Sequence, residues 1–341
     1  MGCDYTSIPS SVTSIGDYAF SNCSSLSSIT IPEGVTSIGG SAFSGCSGLS
    51  SITIPESVTS IGDYTFWYCS NLSSITIPEG VTFIGQSAFY GTKWYNSLPN
   101  GVIYVNDILC DYKGSMPANT VIEVREGTKS ISPSAFNSER NLVEVILPEG
   151  LISVGNSAFA WCENLTKINI PESLLSLGDN AFYNVPGFDA WLNNQSDGVI
   201  YMGNILYKYK GTMPENTEII VREGTTKING SAFSDCKGLI SITIPASVTS
   251  IGGSAFSGCS GLTSITIPEG VTEIGYQAFY GCSNLTSISI PSSVTSIGGW
   301  NTFYGCKGLS EVHIKDIATW CNIDFGSSDS NPLYYAKNLY L

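Results

Sequence analysis

Residues 262–284 read LTSITIPEGVTEIGYQAFYGCSN, and the same phrase returns with small changes along most of the 341 residues of the chain. Leu262, Ile265 and Ile267 are spaced L-x-x-I-x-I, and the last four residues of that run alternate with period 2 as a strand does. Ile265 and Ile267 then point inward, Ser264 and Thr266 outward. Pro268 has no N–H to continue a ladder, so the strand is predicted to stop there, and Gly270 permits the turn that follows. Val271 and Ile274 make a second short inward pair, and YQAFYGC has room for one or two helical turns lined inside by Ala278, Phe279 and Cys282. A coil built this way has seven or eight apolar side chains and nothing of its own to cover them. Stacked coils share one core, at ~1.5–3 kcal/mol for each buried aliphatic or aromatic side chain.

The repeat Phe recurs at 20, 43, 66, 89, 136, 159, 182, 233, 256, 279 and 303, so successive positions differ by 23 except for steps of 47, 51 and a final 24. Twelve strand positions follow, ending at Pro9, Pro32, Pro55, Pro78, Arg125, Pro148, Pro171, Arg222, Pro245, Pro268, Pro291 and Lys315. The expected fold class is an α/β repeat. It is a leucine-rich-repeat solenoid, wound as a right-handed β/α superhelix, with a parallel sheet on the concave face and short irregular helical turns on the convex face. The two long intervals are copies of one module. KWYNSLPNGVIYVNDILCDYKGSMPANT (93–120) matches AWLNNQSDGVIYMGNILYKYKGTMPENT (190–217) at a constant offset of 97. Apolar strands around Asn106-Asp107 and around Gly203-Asn204 read as β-hairpins. They are expected to be insertions into a single domain spanning 1–341, with a cap-like segment at 316–341.

SITIPEGVTSIGGSAFSGC (28–46), the WYN/WLNN…GVIY…YKG(S/T)MP module and the closing IATWCNIDFGSSDSNPLYYAKNLYL together resemble BspA-like leucine-rich-repeat proteins. These are surface antigens of gut and oral bacteria and of some mucosal protists, and the resemblance runs over essentially the whole chain. It implies a cell-surface or secreted location and adhesin-like binding of a host matrix protein or a microbial surface protein. A structural spacer within a larger surface protein is the alternative. The first coil is short, six residues from Cys3 to Pro9 against nine from Cys23 to Pro32, and the chain closes on an apolar, strand-like NPLYYAKNLYL. Both features suggest a fragment of a longer array whose last strand edge can pair end to end with another copy. Two other readings are that 316–341 folds back as a cap, or that Gly2-Cys3 is the remnant of a lipoprotein processing site.

Charged residues are 12% of the chain, and the net charge of −14 is uneven. Residues 1–92 hold six carboxylates and no Lys or Arg, so a phosphate backbone or an anionic membrane surface would meet only negative charge there. No apolar run approaches the ~18 residues that cross a bilayer, and no basic segment followed by an apolar one opens the chain. The expected partner is a protein, with no nucleic acid and no direct membrane insertion.

Eight of the eleven cysteines (Cys23, Cys46, Cys69, Cys162, Cys236, Cys259, Cys282 and Cys306) lie three residues after the repeat Phe. Stacked thiols at equivalent positions stand a coil apart, beyond disulfide reach, and are expected to form a buried ladder of free thiols acting as small hydrophobes. Thr92, Glu139 and Val185 fill the slot beside the hairpins, and no C-x-x-C pair exists to hold a metal. His313 is the sole histidine, at an outward strand position, which removes most hydrolase triads and histidine metal sites. Phosphate-binding glycine loops and the G-x-S-x-G elbow are absent as well. Glu33, Glu79 and Glu269 recur after the repeat Pro and read as turn residues, as do the sequons at Asn71, Asn164 and Asn284. Neither catalysis nor a cofactor is expected.

The outward strand ladder is the candidate binding surface. It reads Thr30, Thr53, Thr76, Glu123, Ile146, Asn169, Ile220, Thr243, Thr266, Ser289 and His313, with Glu144 and Lys167 beside it. Glu123, Ile146, Asn169 and Ile220 break a uniform run of Thr, and varied residues on a rigid array are what a protein-binding face requires. The hairpins add aromatic candidates at Trp94, Tyr95, Tyr104, Tyr112, Trp191, Tyr201, Tyr207 and Tyr209, half or more of them expected to cover core.

Overall fold

The computed structural model describes residues 7–341, so the expectations placed on Gly2 and Cys3 lie outside the described residues. The chain folds into two compact units, one of residues 1–171 with 177–192 and one of residues 172–176 with 193–341. Each is a parallel-strand solenoid with few helices.

In the second unit the repeat phrase forms its strand at Ser264–Thr266, which pairs in parallel with Ser287–Ile290. That strand pairs in turn with Glu311–Ile314, and Glu311–Ile314 with Asn338–Tyr340. Pro268 ends the strand as expected. Its carbonyl accepts the Val271 N–H at 3.3 Å, and Gly270 supplies the positive φ of 113° that such a turn requires at its third residue.

Each coil then makes a second strand, only two residues long, from the phrase read above as a mere inward pair. Lys227–Ile228, Ser250–Ile251, Glu273–Ile274, Ser296–Ile297 and Asp324–Phe325 form one parallel ladder. The glycine that follows is dictated by how closely coils approach. A Cβ on Gly275 would lie 2.4 Å from the backbone nitrogen of Gly253 in the preceding coil.

The convex helical turns are corrected by the structure. The A-F-x-x-C segments are consecutive tight turns, and alternate N–H groups bond within the coil and to the next one. Ser254, Phe256 and Gly258 donate to the carbonyls of Tyr276, Ala278 and Tyr280 at 2.7–2.8 Å, while Ser257 and Cys259 donate to Ser254 and Phe256 at 3.0 and 3.1 Å. This alternation needs a left-handed residue on either side of the Phe, here Ser254 (φ 57°) and Gly258 (φ 73°). A helix would direct its N–H groups along the coil and leave its neighbours unpaired. Among the described residues, α-helix is confined to Lys93–Ser97, Pro186–Asn193 and Ile317–Cys321.

The first unit repeats this plan. Ser14–Ile15, Ser37–Ile38, Ser60–Ile61 and Phe83–Ile84 form its short-strand ladder. Ser51–Thr53 pairs with Ser74–Thr76, and Leu142–Ile146 lies between Thr120–Glu123 and Lys167–Ile168. Gly101–Val105 and Ile108–Lys113 pair antiparallel across Asn106-Asp107, and in the second unit Gly198–Met202 and Ile205–Lys210 do so across Gly203-Asn204. The core of each unit is a column of repeat side chains. Phe20, Phe43, Phe66 and Phe89 stack at 5.1–5.9 Å with rings within 6° of parallel, and Phe233, Phe256, Phe279 and Phe303 at 5.4–5.6 Å.

Gly275→Ala is therefore expected to force two coils apart and cost about 1–3 kcal/mol in urea denaturation. Gly16 holds the same repeat position, but among the described residues nothing lies within 4 Å of its virtual Cβ. Gly16→Ala should stay within about 0.5 kcal/mol of the parent, and equal losses at the two sites would overturn the close-approach explanation.

Candidate functional site

The structure brings the outward strand residues into register within each unit. In the first, Thr53 lies beside Thr76, and Glu123 beside Ile146. Glu144 lies beside Lys167, and their side chains form an ion pair at 3.2 Å. In the second, Ile220 pairs with Thr243, while Thr266, Ser289, His313 and Tyr340 form one row. Thr30, nearer the start, forms an isolated parallel bridge with Ser7, the first of the described residues. Exposure separates these residues. Ile220 is 82% exposed and Ile146 43%, and Val121, which the sequence reading passed over, is 52%.

Two ladder residues have their polar groups engaged. The Asn169 amide donates to the Leu147 carbonyl at 2.8 Å and accepts the Leu147 N–H at 2.7 Å. It thereby prolongs by a side chain the ladder that ends at Ile168, so its first role is structural. His313 stacks on Tyr340 at 5.0 Å, and its Nε2 lies 3.2 Å from Glu311 Oε2. No group of three or more potential metal ligands occurs among the described residues. Glu269 is ion-paired with Lys315 at 2.7 Å, and that contact holds its carboxyl below the ordinary range. Asn71 and Asn164 each donate to a carbonyl of the preceding coil at 2.7 Å, as turn residues should.

The hairpin aromatics are turned toward the protein. Tyr95 is buried, and Trp94, Tyr104, Trp191, Tyr201, Tyr207, Tyr112 and Tyr209 are half-buried. Tyr104 and Tyr201 repeat one arrangement at the offset of 97. The guanidinium of Arg125 or Arg222 lies 4.4 Å over the ring, while the backbone N–H of the same arginine donates to the phenol oxygen at 3.0 Å. Each guanidinium also donates to the hairpin turn, at the Asn106 or the Gly203 carbonyl. These two tyrosines thus fasten the hairpin to the next turn. In the first module Tyr95 Oη donates to Asp111 Oδ2 at 2.6 Å, a part-buried pair. Burial raises the pKa of Asp111, against the opposing pull of the bonds from Tyr95 and from the Tyr112 N–H.

The thiol ladder is present with one correction. Cys46, Cys69, Cys162, Cys236, Cys259, Cys282 and Cys306 are free and buried, whereas Cys23 is disulfide-bonded. The thiols also do more than fill space. In six coils the Sγ donates to the carbonyl of the repeat Phe one coil back, at 3.0 Å for Cys46, Cys69, Cys162 and Cys259 and at 3.1 Å for Cys282 and Cys306. Burial pushes Cys162 up to about 12 and Cys236 to about 11, so neither offers a thiolate near neutrality. Among the described residues Cys321 is the exposed free thiol.

One set of exposed side chains escaped the strand-centred reading. Trp67, Tyr68, Tyr90, Trp161 and Tyr183 in the first unit, with Tyr276, Tyr280, Trp300, Tyr304 and Tyr334 in the second, are all more than a third exposed. Apart from Tyr334 they lie on the turn segments around the repeat Phe. The signal available was positional. Tyr68 and Trp161 stand two residues after the Phe, where other coils place Gly, Asn, Asp or Ser, and both have positive φ.

The sequence matches the model of the BspA type leucine rich repeat region, in six copies, over residues 2–106, 116–196 and 206–329. Among solved structures the chain is similar to a leucine-rich cell surface protein of Faecalibacterium prausnitzii (28% identity, 94% of this chain and 90% of that one, TM-score 0.32). It is also similar to a leucine-rich repeat protein of Bacteroides ovatus (28%, 94% and 91%, TM-score 0.30) and to one of Eubacterium ventriosum (25%, 86% and 68%, TM-score 0.33). Among curated proteins nothing matches the sequence.

Brief alkylation of the native protein, mapped by mass spectrometry, should label Cys321 and leave Cys259 unlabelled until denaturant is added; early labelling of Cys259 would contradict its burial. In the unfolded chain a cysteine ionises near its ordinary value of 9.0, whereas Cys236 and Cys162 when folded hold their protons to about 11 and 12. Their raised values favour the fold fully below pH 9, and that contribution fades as the pH climbs through 11 and 12. The melting temperature should accordingly fall over that alkaline window, and less steeply in a Cys162→Val, Cys236→Val variant.

Proposed function

The chain belongs to the family of BspA-type leucine-rich-repeat proteins, and from that premise we propose that it is a non-catalytic protein-binding module, displayed at a cell surface or secreted. In this reading its partner is a host matrix protein or a microbial surface protein, bound in adhesin-like fashion through the outward strand face. We further read 1–341 as one right-handed solenoid domain in which the two hairpins are insertions. The observation that carries the binding reading is Ile220, 82% exposed and in register with Thr243 at a ladder position that five of the eleven coils give to Thr. An isoleucine in that place leaves apolar surface in water, and the fold gains no burial from it. Val121 and Ile146 in the first unit support the same reading, with Glu123 and the Glu144–Lys167 pair adding charge that a partner can read. The surface location rests on membership of the family.

The test is binding of the purified chain to immobilised extracellular-matrix proteins and to intact bacterial cells, compared with Ile220→Glu and Ile146→Glu variants. Neither substitution disturbs a buried side chain, so Ile220→Glu should melt as the parent does, while Ile146→Glu, which sets a second carboxylate beside Glu123, should lose a little stability and remain folded. Loss of an apolar anchor should weaken binding at least about tenfold, or about 1.4 kcal/mol. Binding indifferent to both substitutions, or no binding at all, would favour a spacer.

A further inference from the structure

In the second unit the last repeat interval, from Phe279 to Phe303, is longer by one than the interval from Phe256 to Phe279 before it. Where the preceding coil reads IGYQAF (274–279), this one reads IGGWNTF (297–303), and the extra residue falls between the glycine and the repeat Phe. The backbone ladder survives. Gln277 donates to the Trp300 carbonyl at 3.3 Å, much as Ser254 donates to that of Tyr276 one coil earlier. Trp300 meanwhile takes φ 74°, followed by Asn301 at 58°. A bulky side chain at positive φ is an outlier, and this one is also 76% exposed. Strain and apolar exposure both disfavour the tryptophan, and the neighbouring coils stack without it.

Trp300 forms one wall of a cleft of about 460 Å³, which it shares with Tyr304, Tyr334, Asn301, Ser327 and Asp329. The polar side of that cleft is braced. Asp329 accepts the Asn301 N–H at 3.1 Å and the hydroxyl of Ser327, and Ser327 accepts the Trp300 N–H at 2.9 Å. No Lys or Arg lines it. The first unit holds a smaller cleft of about 190 Å³ with the same kind of lining: Trp161 and Tyr183, edge to face at 5.1 Å, with Asn137, Asn180 and Ser157. Trp161 also has positive φ, at 62°.

We propose that the Trp300 cleft is a binding site for neutral carbohydrate, taking a pyranose ring against the tryptophan face. A pyranose presents one face of C–H bonds, weakly positive, that matches the negative face of an aromatic ring, and a rim of hydroxyls that pair with amides, hydroxyls and carboxylates. The volume lies in the ordinary range for small-ligand clefts. The chemistry common to both clefts is aromatic ring, amide and hydroxyl. A carboxylate occurs in only one, which argues against a cage for an organic cation, and the absence of lining cations together with the net charge of −14 argues against an acidic glycan. This site lies on the turns and is independent of the strand-face reading above.

The experiment is calorimetric titration of the full chain with cellotetraose, N,N′-diacetylchitotriose and lacto-N-tetraose, and separately with tetramethylammonium chloride. At least one neutral sugar is expected to bind with a dissociation constant of about 1 mM or below, and Trp300→Ala should weaken it at least about tenfold. Because Trp300 is exposed, that variant should keep the parent's circular dichroism spectrum and melting temperature, which separates lost binding from lost fold. Absence of binding by all three sugars at about 10 mM would overturn the proposal. So would undiminished sugar binding by Trp300→Ala, or binding of tetramethylammonium alone.

Discussion

Each coil must lie about 5 Å from the next, the distance set by the Phe rings at 5.1–5.9 Å and by backbone bonds on both strand and turn sides. A single coil has one layer of apolar side chains and cannot cover it alone, so this contact governs every inward position. Phe256 meets Phe233 and Phe279 nearly parallel, an offset stack that aromatic rings favour. Gly275 has no Cβ because the backbone of Gly253 occupies that space. Only outward side chains, and the coils next to a departure from the repeat, are released from the constraint. Function has to be sought there.

How much of this was legible depends on what leaves a period in the sequence. The S-I-T-I-P strand did, through its alternation and its closing proline, and that alternation alone places Thr266, Ser289 and His313 in one row. The T-S-I-G ladder did not. A two-residue strand spans only one period of alternation and cannot show a repeat of it, so Glu273–Ile274 looks like ordinary turn sequence until its neighbours are seen beside it. The A-F turns misled for a different reason. Ala and Phe with a cysteine three residues on fit a helical face, and the non-glycine left-handed residues that exclude a helix are mostly Ser and Asn, which signal positive φ only weakly. Asn169 read as a binding residue because its pairing with the Leu147 backbone, distant in sequence, leaves no local trace. The lengthened interval before Phe303 was plain arithmetic, and it marks the coil that carries the most exposed tryptophan.

The slot that usually holds cysteine shows how local these rules are. Where an ordinary coil lies on either side, the thiol donates to the Phe carbonyl behind it, a carbonyl that also accepts an N–H from its own coil; Phe43 accepts both Cys46 N–H and Cys69 Sγ. At Thr92 a helix follows. The hydroxyl there donates to Phe89 of its own coil and accepts the Tyr95 N–H as the helix cap, which a thiol does poorly. Val185 likewise precedes the helix Pro186–Asn193. Glu139 follows a hairpin, where the coil behind supplies no repeat Phe. Cys236 stands in the equivalent place after the second hairpin, and it shows that sulfur is tolerated there without being required. The choice at this slot therefore follows from what the neighbouring coil offers the side chain. Apart from Cys23, which is disulfide-bonded, it needs no redox or metal chemistry to explain it, which leaves the exposed strand residues and the tryptophan clefts as the parts of the surface that stacking does not account for.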